Sequence, residues 1–178
     1  IVRVGTCGGM QEDIPLGTFL VSEKSIGWDG LLAFYEGRDE IADLGFEDAL
    51  VDFIHYPAKA ARPYVVAANP ELVNRIAGDD MMRGCTIAAN GFYGPQGRVL
   101  RCDLAVKDIN DRITDFRYEG QRITNYEMEG SAIAGLSLLM GHKAMTVCCV
   151  IAQRKVEAAN TDYKPRIKQL VQTVLERI

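Results

Sequence analysis

The sequence predicts a single α/β domain over residues 1–178, built around a largely buried mixed β-sheet that is flanked by helices. Stretches with strand and helix character alternate along the chain, and no internal repeat, linker or low-complexity tract interrupts them. A length of 178 residues and a hydrophobic content of 48% suit one domain with a sizeable core. Residues 143–152 form a strongly apolar run, as expected of a central strand.

The amino-terminal half is predicted to hold four strands and two helices. Strands are expected where β-branched and aromatic residues cluster, and a helix at 39–54 where apolar residues recur at close to helical spacing. Asn69 and Pro70 mark the start of the second helix, as its N-cap and first helical residue. The predicted strands are residues 1–4, 18–25, 64–68 and 85–90.

The carboxyl-terminal half is predicted to alternate helices with two strands. A short helix at 109–116 and a brief strand at 123–126 precede a helix at 128–140, which Gly141 ends as a C′ glycine. After the apolar strand, an amphipathic helix at 163–178 closes the chain. Ligands in such folds collect at the carboxyl ends of strands, so polar segments at strand ends are the candidate site.

Charge and cysteine content argue against several classes of protein. The formal net charge of −4 disfavours nucleic-acid binding through a general basic surface, although a few arginines can still bind a small anion. No apolar run reaches membrane-span length and no signal peptide opens the chain, so no membrane partner is expected. Five cysteines without CxxC spacing indicate a reduced, cytoplasmic protein, and two histidines without ligand spacing argue against zinc. A strand at the first residue, with no lead-in, predicts that an amino-terminal portion is missing.

The segment Asn-Tyr-Glu-Met-Glu-Gly-Ser at 125–131 places two carboxylates and a methionine at the start of an apolar helix. Acceptor-only groups beside an apolar surface suit a sugar with hydroxyls on one face. Alternatively, Glu127 and Glu129 favour a helix amino terminus through the macrodipole, and Met128 fills the core. Two close acids also suggest acid/base catalysis, although only one of them need face a ligand.

The segment Arg-Val-Gly-Thr-Cys-Gly-Gly at 3–9 is predicted to be a glycine-rich turn after a strand. Backbone N–H groups in such a turn can cradle an oxyanion, with a hydroxyl from Thr6 and a guanidinium fork from Arg3. It is neither a Walker motif nor a dinucleotide fingerprint. The alternative interpretation is a tight turn with a surface arginine.

The segment Gly-Phe-Tyr-Gly-Pro-Gln-Gly-Arg at 91–98 follows another predicted strand end. Its two aromatic residues offer a stacking surface, and the Gln96 amide and Arg98 guanidinium suit the C=O, N–H, C=O edge of a pyrimidine. A glycine-proline turn with solvated polar residues is the alternative.

Together, the three segments resemble the nucleoside phosphorylase family of the purine nucleoside phosphorylase and uridine phosphorylase type. Segment 3–9 looks like the family's phosphate loop and segment 125–130 like its ribose motif, in the family's order. Segment 92–98 looks like the uridine phosphorylase base loop. The bacterial purine enzymes carry an aspartate just after the strand that matches 147–152. The sequence Ala-Gln-Arg at 152–154 has none, which weighs against a purine substrate.

The resemblance implies a distorted, barrel-like sheet and a role for each site residue. Phosphate would be bound by Arg3, Gly5 and Thr6, and ribose by Met128, Glu129 and Glu127. The base would be bound by Phe92, Gln96, Arg98, Tyr126 and Ile151, with Arg154 supporting the base loop. Arg3, Gln96 and Arg98 would be the catalytic residues.

The implied reaction is reversible phosphorolysis of uridine to uracil and ribose 1-phosphate, in pyrimidine nucleoside salvage or catabolism. Phosphate is the co-substrate, and no metal or organic cofactor is expected. Because the family forms dimers that assemble into hexamers with shared sites, a homohexamer is expected. The alternatives are a purine phosphorylase, a nucleosidase of the same fold, which would not need Arg3 and Thr6, and a non-catalytic nucleoside sensor.

Overall fold

Five strands close into a barrel at the centre of the fold. The computed structural model describes residues 1–155 and 158–178. The strands in these ranges are β1 (Val2–Gly9), β2 (Phe19–Gly27), β3 (Tyr64–Ala67), β4 (Met81–Ala88), β5 (Arg117–Tyr118), β6 (Gln121–Glu127), β7 (Met145–Gln153) and β8 (Ala158–Ala159). The barrel follows the order β2, β4, β6, β1, β7, and β7 pairs again with β2. The predicted α/β class and barrel-like sheet are confirmed.

The sheet mixes parallel and antiparallel pairs. Strands β2 and β4, β4 and β6, and β1 and β7 pair in parallel, whereas β1 with β6 and β2 with β7 are antiparallel. The β1–β6 pair joins the carboxyl ends of the two strands, because Gly8 lies opposite Tyr126 and Gly9 opposite Asn125. Two of the segments that the sequence analysis selected therefore lie side by side.

Strand β1 is longer than the sequence predicts. The expected strand end at Val4 and the glycine-rich turn at 5–9 are both wrong, because the extended chain continues to Gly9 alongside β7. Gly5 fits this strand for a packing reason, since a Cβ atom there would lie 2.7 Å from Nη1 of Arg3. The N–H groups of 5–9 therefore belong to a strand, and not to a turn that could cradle an oxyanion.

Six helices pack around the barrel in the described residues. They are α1 (Arg38–Ile41), α2 (Leu44–Ile54), α3 (Pro70–Ile76), α4 (Ile109–Asp115), α5 (Gly130–Leu139) and α6 (Lys164–Arg177). Asn69 is the N-cap of α3 as predicted, because its side-chain oxygen accepts the Leu72 N–H at 3.2 Å. In the described part of the chain, no helix combines the length and apolar character that crossing a membrane requires.

The predicted helix at 39–54 is wrong in one respect, because the chain leaves helical geometry after Ile41. Ala42 forms a bridge with Val66 of β3, which draws this residue into the sheet. Asp43 then restarts the helix as the N-cap of α2, with its carboxylate accepting the Phe46 N–H at 3.0 Å. An aspartate is more stable at such a cap than inside a helix, where it competes for backbone groups.

Candidate active site

One cavity of about 470 Å³ lies where the ends of β1, β6 and β7 meet. Every residue that the sequence analysis assigned to phosphate, ribose or base lines this cavity, although the role of each residue remains a prediction. The lining residues are Arg3, Gly5, Thr6, Cys7, Gly8, Phe92, Gln96, Arg98, Tyr126, Glu127, Met128, Glu129, Ile151, Ala152 and Arg154. The volume is in the usual range for a small-molecule site.

Arg3 is the cation of the cavity lining that contacts the 127–129 segment. Its guanidinium contacts the carboxylates of Glu127, at 3.1 Å, and Glu129. It also donates to the Cys148 sulfur at 3.3 Å. Burial acts to lower the pKa of Arg3, but Cys148 and the carboxylates outweigh it and place the pKa above its ordinary value. Arg3 therefore stays charged, and its fork of donors suits an oxyanion.

The two carboxylates of the 127–129 segment have different surroundings. Glu127 is buried and accepts the N–H groups of Glu129 at 3.0 Å and of Gly130 at 2.8 Å. Burial raises its pKa, and these N–H groups together with Arg3 oppose that shift. The carboxylate of Glu129 is 59% exposed. Glu127 thus holds the beginning of α5, and Glu129 is the carboxylate available to a ligand.

The base loop, residues 92–98, contributes a second group of donors to the cavity. Gln96 is only 3% exposed, and its amide oxygen accepts Arg98 Nη1 at 2.8 Å and an N–H of Arg154. The Arg98 guanidinium lies 3.7 Å from the centre of the Phe92 ring and donates to the Phe92 carbonyl. With both arginines on the Gln96 oxygen, the amide nitrogen is the atom that can donate to a ligand.

Two arginines, Arg98 and Arg154, meet at the Gln96 side chain. Burial lowers the pKa of Arg98. Burial, assisted by the positive charge of Arg98, lowers the pKa of Arg154 to about 10. Both side chains remain charged at neutral pH, so the cavity is electropositive around Gln96 and favours an anionic or electron-rich group there.

Tyr126 forms the wall beside the base loop. Its ring lies 4.8 Å from the Arg154 guanidinium carbon and meets the ring of Trp28 edge-on at 5.8 Å. Its hydroxyl donates to the Asn110 side-chain oxygen at 3.2 Å. Burial raises the pKa of Tyr126, so the hydroxyl stays protonated and remains a donor. The side chain is thus fixed from three directions.

Sequence reasoning missed several residues that contact the cavity or its lining, among them Cys7, Gly8, Cys148 and Asn110. Cys7 and Gly8 line it from β1, whereas Cys148 of β7 and Asn110 of α4 touch its lining residues from outside. Only the register of β1 against β7 brings the Cys148 sulfur to Arg3. The alternation of strand residues could have placed Cys7 on the same face as Arg3 and Gly5, had β1 been predicted at full length.

Comparisons with known proteins identify relatives of this chain. A uridine phosphorylase from Thermococcus kodakarensis is 24% identical over 155 residues, covering 86% of this chain and 48% of the relative. Uridine phosphorylase A from Schistosoma mansoni is 28% identical over 161 residues, covering 86% of this chain and 47% of the relative. The chain therefore spans about half the length of the curated relatives it matches.

Solved structures show the same fold. A Trypanosoma brucei nucleoside phosphorylase, described as showing uridine phosphorylase activity, superposes with a TM-score of 0.85 and 27% identity over 99% of this chain and 62% of its own. A structure from work on two uridine phosphorylases of Phytophthora capsici has a TM-score of 0.69 and 18% identity, over 99% of this chain and 64% of its own. The sequence model of the phosphorylase superfamily matches residues 1–177, and the chain therefore belongs to that superfamily.

Proposed function

We propose that the protein catalyses the reversible phosphorolysis of uridine, giving uracil and ribose 1-phosphate. The observation that carries this proposal is that one cavity brings the three polar segments together. Arg3 and Thr6 line it, as do Met128 and Glu129, and so do Phe92, Gln96 and Arg98 of the base loop. These are the kinds of groups that phosphate, ribose and a pyrimidine would need in one site. Relatives named uridine phosphorylase support the same substrate.

In the proposed reaction, a phosphate oxygen forms a bond to the anomeric carbon of the ribose as the bond from that carbon to the base nitrogen breaks. The electron pair of the broken bond leaves with uracil, which then takes a proton from solvent. Arg3 and Thr6 hold the phosphate in place for attack, which is a positioning effect. Arg98 and the Gln96 amide nitrogen donate towards the base as negative charge grows on it.

The contact between Arg3 and Glu129 couples the two substrates in this proposal. Glu129 shares the Arg3 guanidinium with Glu127. A phosphate that binds Arg3 competes with the exposed Glu129, because Glu127 is also held by backbone N–H groups. Once displaced, Glu129 can accept hydrogen bonds from the ribose hydroxyls. Phosphate binding therefore prepares the ribose site.

A substrate assay tests the proposal. The protein is incubated with uridine, thymidine or inosine, with and without phosphate, and free base is measured. Phosphate-dependent release of uracil is the expected result. Release of base without phosphate would identify a nucleosidase, and preferential cleavage of inosine would identify a purine phosphorylase. Nucleoside binding without release, measured by calorimetry, would identify a sensor.

The proposal includes the setting of the enzyme. By resemblance to the family, we propose a homohexamer of dimers with sites shared between subunits, in the cytoplasm, acting in pyrimidine nucleoside salvage or catabolism. The cavity needs inorganic phosphate as co-substrate and no metal or organic cofactor in this mechanism. Light scattering of the purified protein tests the assembly, since a mass near six subunits is expected.

A further inference from the structure

We propose that Asn110 is a positioning residue that holds the base loop in the geometry that receives the base. This inference rests on the proposed function. Asn110 lies in the first turn of α4 and does not line the cavity, so it would act on a substrate only through its neighbours.

The Asn110 side chain joins three parts of the chain. Its amide nitrogen donates to the backbone carbonyls of Gln96, at 3.2 Å, and Gly97, at 3.3 Å. Its amide oxygen accepts the Tyr126 hydroxyl at 3.2 Å. The amide nitrogen therefore connects α4 to the base loop, and the amide oxygen connects α4 to β6. All three hydrogen bonds reach residues outside α4, so none of them stabilises the helix itself.

The base loop depends on such anchors because its own hydrogen bonds are local. Within the loop, the Gln96 and Arg98 N–H groups both donate to the Tyr93 carbonyl at 3.0 Å. These bonds shape the turn but do not attach it to the barrel. From outside the loop, Arg154 donates to the Gln96 carbonyl at 2.9 Å, alongside Asn110. The positive charge of Arg98 disfavours the charged form of Arg154. Asn110 is the anchor that carries no charge, so this repulsion does not weaken it.

Gly97 provides a second, independent reason to assign this role to Asn110. Its φ angle of 68° lies in the left-handed region, where side chains are strained. A Cβ atom at Gly97 would also overlap the Asn110 amide. The close approach of Asn110 to the loop therefore requires a glycine at this position, and the two residues form a matched pair.

Asn110→Ala tests the inference through kinetics. We expect kcat/KM for uridine to fall about tenfold, while KM for phosphate changes less than about twofold. The reason is that the lost hydrogen bonds are those to the base loop and to Tyr126. Arg112→Ala is the matched control on the same helix, since among the described residues its side chain donates to Asp108 and to no residue of the loop. Both parameters should stay within about twofold of wild type in this control.

Hydrogen–deuterium exchange supplies a readout that does not need activity. In Asn110→Ala the amides of residues 96–98 should exchange at least about tenfold faster, with little change in the barrel strands. A general loss of stability would accelerate exchange in the strands as well, and that result would overturn the inference. So would an Asn110→Ala protein that matches Arg112→Ala in both kinetics and loop exchange.

Asn110→Asp is a second variant that tests the inference even if Asn110→Ala does not fold. It keeps the size and the acceptor for Tyr126, but it turns an oxygen towards the two loop carbonyls, so loop exchange should again accelerate. Unchanged exchange in this variant would also refute the role. If the wild-type protein releases no uracil, the proposed function fails, whereas the exchange experiment still decides whether Asn110 anchors the loop.

Discussion

Substituting alanine for Gly5 should move the Arg3 guanidinium without disturbing the fold. The new Cβ atom would lie 2.7 Å from Nη1 and 3.0 Å from the central carbon of that guanidinium. Gly5 has no left-handed φ angle, so the backbone accepts alanine there. The overlapping atoms are the far end of a flexible side chain. The guanidinium must therefore retreat by about 0.7 Å to reach an ordinary contact distance of 3.4 Å.

The size of the effect follows from what Arg3 loses when it retreats. Such a shift would disturb its contacts to Glu127 at 3.1 Å and to the Cys148 sulfur at 3.3 Å, which fix where the guanidinium lies. Misplacing one charge-assisted hydrogen bond to phosphate costs about 1.5 to 3 kcal/mol, so KM for phosphate should rise roughly 10- to 100-fold. The free energy of unfolding should change by less than about 1 kcal/mol.

Steady-state kinetics at varied phosphate concentration measure KM for phosphate, and urea unfolding measures the free energy of unfolding. Gly94→Ala is the matched control, because no atom of the described residues, its two chain neighbours aside, lies within 4 Å of a Cβ at Gly94, and this residue does not line the cavity. Its phosphate KM should stay within about twofold of wild type. An unchanged phosphate KM in Gly5→Ala would refute the argument that the position of Arg3 over Gly5 governs phosphate binding.

Three further predictions concern the base, the ribose and the pH dependence of stability. Arg98→Ala should lower turnover of uridine about 100-fold or more with little change in melting temperature, because its donor acts on charge that develops during reaction; near-normal turnover would contradict this role. Glu129→Ala should slow uridine more than 2′-deoxyuridine, since only uridine offers the 2′-hydroxyl; equal losses would count against ribose recognition. Although burial acts to raise it, Lys24 and the Phe46 N–H hold the pKa of Asp43 below its usual value. This carboxylate therefore stabilises the fold at pH values above its pKa in the unfolded chain, which is about 4. The stabilisation is lost as the pH falls from that value through the lower pKa of the folded state. The stability advantage of wild type over Asp43→Asn, measured by urea unfolding from pH 7 to pH 3, should shrink towards acid; a constant difference would show that the charge contributes nothing.

Local signals in the sequence were sufficient for several elements. The Asn69-Pro70 pair marks the start of α3 because an N-cap and a first-turn proline act through atoms only a few residues away. The apolar run at 143–152 became β7, whose inner and outer faces are both covered. In contrast, α1 and α2 were predicted as one helix, because the bridge from Ala42 to Val66 joins residues far apart in the chain.

From the residues alone, the α/β class and the family resemblance could be recognised, and the set of residues that line the cavity could be predicted. These depend on residue types and on short-range spacing, which the chain displays directly. The folded structure was needed to show that segment 3–9 is a strand and that Glu127 holds α5 while the Glu129 side chain is exposed. It was also needed to show that Cys148 contacts Arg3 and that Asn110 contacts Tyr126. Each of those facts depends on the register between strands or on contacts between distant residues. Such contacts come from closing the barrel, which no local pattern specifies.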